Sequence, residues 1–330
     1  GALEAAGTAE LGRQPARYAV SQGRFTNLDL AALTGNPDQA SDLSGTFTLN
    51  GTGLAPESAQ LAASVELAPS RLPVGQDGLD VAGARLDATL RGGTLGFDLA
   101  ADLADAGQLT AAGTAQPFRQ PLTYTAEGTF TRVDLAALTG NPDQASDLSG
   151  RYSVRGSGTD PQTLAASGTL TLDPGYVGAR DIDGADLAFS LTRGDLVVDG
   201  TLDTPEGSFA FDVTGRPFDA NPSFALGERT CFTGLDLGRL ADLPDTYTDL
   251  NGCFRGSLTG FDPQTADGSG VVTLRSSFIN AARVTDGEIT FALNDGFVNA
   301  AVDLVFAADA TGVEGEAARP GRLLAAFEGD

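Results

Sequence analysis

The sequence contains no histidine, lysine, methionine or tryptophan. Without histidine no Ser-His-Asp set can form, and without lysine no glycine-rich phosphate loop of the lysine-containing type is possible. Carboxylate pairs are frequent, but at this density of aspartate chance pairs are expected, and none singles out a glycosidase site. We therefore expect no enzymatic activity and no cofactor.

Positive charge is also scarce. All 20 basic residues are arginine, and 44 acidic residues oppose them, which gives a net charge of −24 at pH 7. No basic patch is expected that could neutralise the phosphates of a nucleic acid, so nucleic-acid binding is excluded. The acidity is typical of a solvated outer surface; a dedicated cation-binding surface is the alternative.

Long apolar runs are missing as well. None approaches the roughly 20 residues that a membrane-spanning helix needs. Position 1 is not methionine, and both ends of the chain read as parts of a repeat. We therefore expect a segment of a longer protein, with any signal or membrane anchor outside it.

What the chain does contain is a long internal repeat. Residues 29–45 return unchanged at 134–150, a spacing of 105 residues, and a diverged third copy lies at 235–252. This spacing predicts the end of a preceding repeat at 1–25, repeats at 26–120 and 121–222, and a truncated third repeat at 223–330. Because no proline-rich linker or low-complexity segment separates them, we expect one continuous sheet.

Within a repeat, apolar and polar residues alternate, which predicts β-strands. In the second repeat the alternation begins at Tyr124 and continues through about six strands. A short helix is predicted where Asp134 precedes Leu-Ala-Ala-Leu, and Gly140-Asn-Pro should end it. Hairpin turns are predicted at Arg193-Gly-Asp and Pro205-Glu-Gly.

The fold class that follows is all-β, with one short helix per repeat. A sheet with one apolar face must cover that face, and helices this short cannot do so. A barrel does not grow repeat by repeat, and successive sandwiches would show linkers. We therefore expect an elongated, curled, mostly antiparallel sheet that forms a U-shaped hydrophobic groove, a repeating β-groove or β-taco. The alternative is a trough whose walls close into a core.

An apolar groove of this length is typical of a site for lipid acyl chains. The residues predicted to line it have apolar or aromatic side chains on one face of the alternating strands. They are Tyr124, Phe130, Tyr152, Val154, Leu170, Leu172, Leu187, Phe189, Leu191, Phe209, Phe211, Phe232, Phe254, Ile289, Phe291 and Leu293.

The only two cysteines, Cys231 and Cys253, lie on either side of the third copy of the motif. If their strands are neighbours, a cross-strand disulfide is geometrically easy, and it would indicate an oxidising compartment. Two unpaired buried thiols are the alternative. We expect no metal there, because two sulfurs without histidine do not complete a zinc site.

Acidic residues recur at the turn after the short helix, as Asp38 and Asp42 in the first copy and Asp143 and Asp147 in the second. They could bind calcium, but turn-forming and capping chemistry explains them equally well. The sequence at 181–184, Asp-Ile-Asp-Gly, has two acids of a calcium loop but lacks the further ligands. We interpret it as a structural turn.

The repeated motif is Asp-Leu-Ala-Ala-Leu, then a Pro/Asp turn, then Asp-Leu-Ser-Gly or Asp-Leu-Asn-Gly before a strand. It resembles the TamB family (translocation and assembly module, inner-membrane subunit) of the AsmA-like repeating β-groove proteins. Gly184 to Phe189, and the shorter Gly287 to Phe291, match strands that such proteins use later in each unit. The resemblance covers essentially the whole chain, and its motifs are structural.

The resemblance implies an inner-membrane-anchored protein of a Gram-negative bacterium that crosses the periplasm. It implies phospholipid as the ligand, membranes at both ends of the full-length protein, and an outer-membrane β-barrel of the Omp85 type as partner through regions outside this chain. We therefore expect a non-enzymatic periplasmic lipid conduit that supports outer-membrane biogenesis. The alternatives are a structural strut for outer-membrane protein assembly or secretion, and a repetitive surface adhesin. An adhesin built as a β-solenoid would repeat every roughly 20–30 residues.

Overall fold

The structure is a computed structural model that describes residues 1–55, 58–73, 78–160, 163–260, 265–294, 297–307 and 321–329. Strands account for 68% of it and helices for 8%, which confirms the prediction of an all-β, antiparallel chain with one short helix per repeat. The chain divides into two compact units. Unit 1 comprises Gly1–Thr159 and Ala166–Ile182, and unit 2 comprises Asp160–Ala165 and Asp183–Asp330.

The first part of the chain, through residue 182, forms fourteen strands. They are β1 (Ala2–Glu10), β2 (Arg17–Leu28), β3 (Leu43–Thr52), β4 (Gln60–Leu67), β5 (Ser70–Leu72), β6 (Leu79–Val81), β7 (Gly83–Arg91), β8 (Thr94–Asp102), β9 (Gln108–Gln116), β10 (Thr123–Val133), β11 (Ser146–Ser157), β12 (Ala165–Leu172), β13 (Gly175–Val177) and β14 (Arg180–Ile182). The helices are α1 (Leu30–Thr34) and α2 (Leu135–Thr139), with 3-10 turns at Pro37–Gln39, Ala104–Ala106 and Pro142–Gln144.

In unit 1 each long strand from β1 to β11 pairs antiparallel with the next long strand of the chain. The hairpins β5–β6 and β13–β14 were not predicted, because three residues are too few to show an alternating pattern. They occupy matching places: the isolated bridge between Asp42 and Arg71 corresponds to the pairing of Asp147 with Tyr176. β2 also crosses the boundary predicted between residues 25 and 26.

Unit 2 continues the same pattern. Its elements are β15 (Gly184–Thr192), β16 (Asp195–Thr204), β17 (Gly207–Arg216), β18 (Ser223–Leu226), β19 (Cys231–Leu235), α3 (Leu237–Leu240), β20 (Thr248–Thr259), β21 (Asp267–Ile279), β22 (Ala282–Asn294), β23 (Phe297–Phe306) and β24 (Gly321–Gly329). The strands pair antiparallel, and β18 and β19 together fill the place between β17 and β20. The turn predicted at Arg193-Gly194 is observed, with both residues at positive φ, as a tight hairpin requires.

The repeated segment forms a corner between two long strands. The carboxylate of Asp134 accepts a hydrogen bond from the Ala136 N–H at 2.9 Å and so caps α2. Gly140, at φ 73°, ends the helix in the left-handed conformation that glycine adopts at low cost. The first copy repeats this geometry, with Asp29 as the cap and Gly35 at φ 74°. The predicted helix and both of its ends are therefore observed.

A serine hydroxyl completes each corner. The Leu135 N–H donates to Ser146 Oγ at 2.7 Å, and that hydroxyl donates to the Val133 carbonyl at 3.1 Å. The Ser146 N–H donates in turn to the capping carboxylate of Asp134 at 3.0 Å. In the third copy Thr248 takes the place of this serine and bonds to Leu237 and Leu235 in the same way. The diverged copy has thus kept the corner network through a different residue.

The most buried side chains lie close to these corners. In unit 2 they form a cluster of Leu235, Leu250, Leu274, Val284 and Leu304, against which seven partly buried apolar residues pack. Unit 1 buries Phe25, Leu43, Val81 and Ala106. Away from the corners, most apolar side chains of the long strands are only partly buried, and Leu191 on β15 is a buried exception.

Candidate functional site

The candidate site of unit 1 is the apolar face of its sheet, which we define as the face that carries Tyr18, Phe47, Phe97, Tyr124 and Tyr152. The strand register places directly opposed residues on one face, so the face can be read as rows that run across the sheet. One such row is Ala9, Tyr18, Gly51, Leu61, Leu90, Leu95, Ala115, Tyr124 and Gly156.

Three further rows run parallel to this one on the same face. They contain only glycine, alanine, valine, leucine, phenylalanine and tyrosine; one of them reads Leu3, Phe25, Gly45, Leu67, Ala84, Ala101, Leu109, Phe130 and Gly150. No charged side chain interrupts the four rows. The apolar face of unit 1 is therefore continuous across nine strands.

The opposite face of the same strands is polar. Arg85 forms ion pairs with Asp87 at 2.8 Å and with Glu66 at 3.3 Å. The hydrogen bond from Arg85, together with one from Ser64, lowers the pKa of Asp87, while the contact with Asp87 raises the pKa of Arg85. Threonine hydroxyls pair across strands, as Thr110 with Thr129 at 2.8 Å. This polar face is suited to contact with water, so an apolar ligand should prefer the apolar face.

Unit 2 has an apolar face of the same kind. One row across it is Phe189, Val198, Val213, Leu226, Gly256, Gly270, Phe291 and Ala300. Phe254 stacks on Phe291 with ring centroids 5.5 Å apart. This face is apolar throughout the row, as in unit 1.

All sixteen residues predicted to line a groove lie on these two faces. Fifteen are half-buried, and Leu191 is buried. On β12, Thr169 and Ser167 form hydrogen bonds with Ser153 and Arg155 on the polar face. Because side chains alternate along a strand, Leu170 and Leu172 lie on the apolar face. Their binding of lipid stays a prediction.

Most apolar side chains of both faces keep part of their surface exposed among the described residues. The short helices α1 and α2 of unit 1 bury none of their own residues. Partly exposed apolar side chains in continuous rows offer a surface on which an apolar ligand can lie.

The aromatic residues of the apolar faces lie over glycines of neighbouring strands. A Cβ atom added to Gly23 would come within 2.4 Å of the Phe47 ring, and one added to Gly51 within 2.3 Å of the Tyr18 ring. The same holds for Gly270, where the Phe291 ring lies 2.4 Å from the position of an added Cβ. Each ring therefore leans along the sheet, which leaves room above the face.

Sequence reasoning named no lining residue from the first repeat. The structure places Tyr18, Phe25, Phe47 and Phe97 on the apolar face of unit 1. The spacing of the repeats is a signal that could have found two of them, because Phe25 stands 105 residues before Phe130 and Phe47 stands 105 residues before Tyr152. The sequence does not show which glycine lies under which aromatic ring, because that pairing depends on the register between strands.

The two cysteines form a disulfide between β19 and β20, where they are directly opposed. The neighbouring Phe232 belongs to the apolar face, so the disulfide lies on the polar face. Beside it Arg229 pairs with Asp212 at 3.2 Å and with Asp199, and these contacts raise the pKa of Arg229. The disulfide and the ion pairs hold the interrupted strand β18–β19 against its neighbours.

Two polar side chains of the first corner, those of Asp42 and Asn36, accept hydrogen bonds from neighbouring groups. Asp42 accepts a hydrogen bond from the Asn27 amide at 3.3 Å, and the side chain of Asn36 caps the turn by accepting from the Asp38 N–H at 3.1 Å. Within the part of the chain that the structure describes, no three His, Cys, Asp or Glu side chains come together as a metal site. The calcium alternative gains no support from this geometry.

Comparisons with known protein families, with characterised proteins and with solved structures returned no match. Among the described residues, no helix has both the length and the apolar character needed to cross a membrane. The two apolar faces are therefore the features of the molecule that bear on its function.

Proposed function

We propose that the apolar faces bind the acyl chains of lipids and that the chain is part of a non-enzymatic lipid conduit of the TamB-like kind. The observation that carries this proposal is the apolar face of unit 1, which is continuous over four rows without a charged side chain. At a strand spacing of about 4.8 Å, nine strands span about 38 Å. An accessible apolar surface of this extent is typical of a binding site.

The chemistry of the face fits an acyl chain better than a defined small molecule. The rows offer leucine, valine and aromatic carbon, and their only polar groups are tyrosine hydroxyls, of which those of Tyr18 and Tyr152 already donate to the backbone carbonyls of Gly53 and Thr110. Each methylene group that leaves water for such a surface gains about 0.8 kcal/mol, so affinity grows with chain length. Binding of this kind is weakly selective for the ligand and lets it move along the rows.

The compartment is part of the proposal. Disulfides persist in oxidising surroundings, and the bond between Cys231 and Cys253 therefore favours the periplasm over the cytosol. In this proposal the full-length protein would be anchored in the inner membrane and would meet an Omp85-type barrel through regions outside this chain. A structural strut with closed faces remains the competing function.

Site-specific photo-crosslinking tests the proposal in a matched design. A crosslinker replaces Phe189 or Phe291 on the apolar face, or the adjacent Ser190 or Thr290 on the opposite face. The protein is illuminated in the presence of phospholipid, and adducts are counted by mass spectrometry. We expect lipid adducts at the two phenylalanine positions and few at the two neighbours.

Equal capture on both faces, or none on either, would contradict the proposal. Absence of capture together with a folded protein would favour the strut. Organic extraction of the purified protein gives an independent measurement. A conduit should carry lipid in a molar amount comparable to that of the protein, and a strut should not.

A further inference from the structure

The polar face of unit 1 carries two arginines that the lipid proposal does not use. Arg17 begins β2 and Arg91 ends β7, both at the edge of the sheet away from the corners. Register places them in one row with two uncharged residues between them, in the order Arg17, Thr52, Gln60, Arg91. All four side chains therefore project from the same face on successive strands.

These side chains surround a shallow depression of about 440 Å³, to which Asn50 also contributes. The two arginine Cα atoms are three strand spacings apart, or about 14 Å. Both side chains are long and exposed, so their guanidinium groups can lean over Thr52 and Gln60 from opposite sides. The amides of Asn50 and Gln60 and the hydroxyl of Thr52 add hydrogen-bond donors at the floor.

Neither arginine has an acidic partner within the described part of the chain. The carboxylate closest in register is that of Glu10, opposite Arg17, and it pairs with Arg13 at 3.3 Å. In a protein with a net charge of −24, Arg17 and Arg91 thus place two guanidinium groups around one depression with no carboxylate among the residues that line it.

The pair has no counterpart at the matching positions farther along the chain. The place of Arg17 at the start of the strand is taken by Thr123 in the second repeat and by Ser223 in the third. The place of Arg91 before the hairpin turn is taken by Thr192 and Asn294. Strand structure therefore does not require arginine at either position.

We propose that Arg17 and Arg91 form a binding site for a phosphate group, with Thr52, Gln60 and Asn50 as neutral donors. Guanidinium groups bind phosphate oxygens through paired, charge-assisted hydrogen bonds, and two of them can engage one phosphate from both sides. The site lies on the face opposite the apolar rows, so it is independent of acyl-chain binding. The phosphate can belong to a soluble phosphate compound or to a lipid headgroup.

Titration with inorganic phosphate, followed by phosphorus NMR, tests the site in the intact chain. We expect saturable binding with a dissociation constant on the order of 1 mM. The variant Arg17→Gln/Arg91→Gln should weaken it at least tenfold. The control Arg24→Gln/Arg151→Gln removes two exposed arginines at the other end of the same face and should bind like the wild type.

A second arm separates the two sources of phosphate. Sedimentation with phosphatidylcholine vesicles that contain phosphatidic acid should be reduced in Arg17→Gln/Arg91→Gln, relative to the control, if the site takes a lipid headgroup. Phosphate binding without vesicle binding would assign a soluble phosphate compound. Lack of saturable phosphate binding in the wild type, or equal loss in both double variants, would overturn the proposal. Circular dichroism must show the same strand content in all three proteins.

Discussion

Glycine and aromatic residues depend on each other across the strands of the apolar faces. A Cβ at Gly150 would lie 2.1 Å from the Thr171 carbonyl oxygen and 2.8 Å from the Phe130 ring. The ring could move, but the backbone of the neighbouring strand could do so only by shifting the sheet. Glycine at this position of β11 is therefore required by packing.

The variant Gly150→Ala should lower the free energy of unfolding by about 1–3 kcal/mol, because the added methyl group overpacks the sheet. Gly12→Ala is the matched control, since no heavy atom lies within 4 Å of its added Cβ. Urea unfolding monitored by circular dichroism compares the two. Equal unfolding midpoints for both variants would show that the glycine is not packed as described.

On the polar face, the ionisation of single carboxylates depends on single arginines. The pKa of Asp87 lies below its usual value, first because of the hydrogen bond from Arg85 and then because of that from Ser64. A lowered folded pKa means that the carboxylate stabilises the fold at pH values above the unfolded pKa of about 3.9. That contribution is lost as the pH falls through the folded pKa.

Replacing Arg85 by glutamine should therefore raise the pKa of Asp87 towards the value of a free aspartate, as followed by carbon NMR of the side-chain carboxyl group. Arg24→Gln, on the same face, should leave it unchanged. An unchanged pKa in Arg85→Gln would mean that the ion pair at 2.8 Å does not persist in solution.

At the scale of elements, the corner is the most completely specified structure in the chain. Asp134 provides one carboxylate oxygen for two backbone N–H groups, those of Ala136 and Ser146. The serine hydroxyl then joins the first helical residue to the end of the preceding strand. These hydrogen bonds account for an aspartate at position 134 without a bound cation.

The variant Asp134→Ala should destabilise the protein by about 1 kcal/mol, as is usual for loss of a helix cap. Asp143→Ala removes the same charge from the next turn and should have a smaller effect, because the side chain of Asn141 caps that turn. Thermal unfolding measures the difference. A calcium site would give another result. Added calcium would then raise the melting temperature of the wild type and would not raise that of either variant.

Much of this element structure could be predicted from sequence because alternation and capping are local signals. The strands around Tyr124 and Phe189, the helix after Asp134 and the turn at Arg193 all follow from residues that are neighbours in the chain. The bonding of Ser146 could not be predicted, because its partners lie 11 and 13 residues away. The hairpins β5–β6 and β13–β14 were missed because their strands of three residues are too short to show an alternating pattern.

The faces of the candidate site could be assigned from the same alternation, and all sixteen named residues lie on them. Which residues oppose each other across strands could not, because register depends on turns and bulges such as the shift between Phe130 and Val133. For this reason the glycine partners of the aromatic residues, and the row that joins Arg17 to Arg91, emerged only from the structure.

At the scale of the whole molecule, each repeat adds apolar surface by using the same corner motif and the same alternation of apolar and polar residues. The corners recur with little change, while the strands between them vary in sequence but keep their alternation. Phe47, Tyr152 and Phe254, for example, hold matching places in successive repeats, 105 and 102 residues apart. The face tolerates exchange among apolar residues, which is expected if its function is to solvate rather than to recognise.

If the apolar faces bind lipid, as proposed, charge placed on them should exclude it. The double variant Phe189→Asp/Phe291→Asp places two carboxylates in one row of the apolar face of unit 2, where acyl carbon would have to lie against them. Burying a carboxylate under an acyl chain costs several kcal/mol unless it is paired, so lipid should be excluded from that row. We expect the amount of lipid that is extracted with the purified protein to fall several-fold.

The control Ser190→Asp/Thr290→Asp adds the same charge one residue away on the opposite face and should retain lipid. Because both phenylalanines are half-buried and lie away from the corner cluster, the variant should keep its strand content by circular dichroism. Retention of lipid by the folded Phe189→Asp/Phe291→Asp variant would show that this row does not carry acyl chains. Loss in both double variants would point to net charge as the cause, since acidity added on either face repels anionic lipid equally.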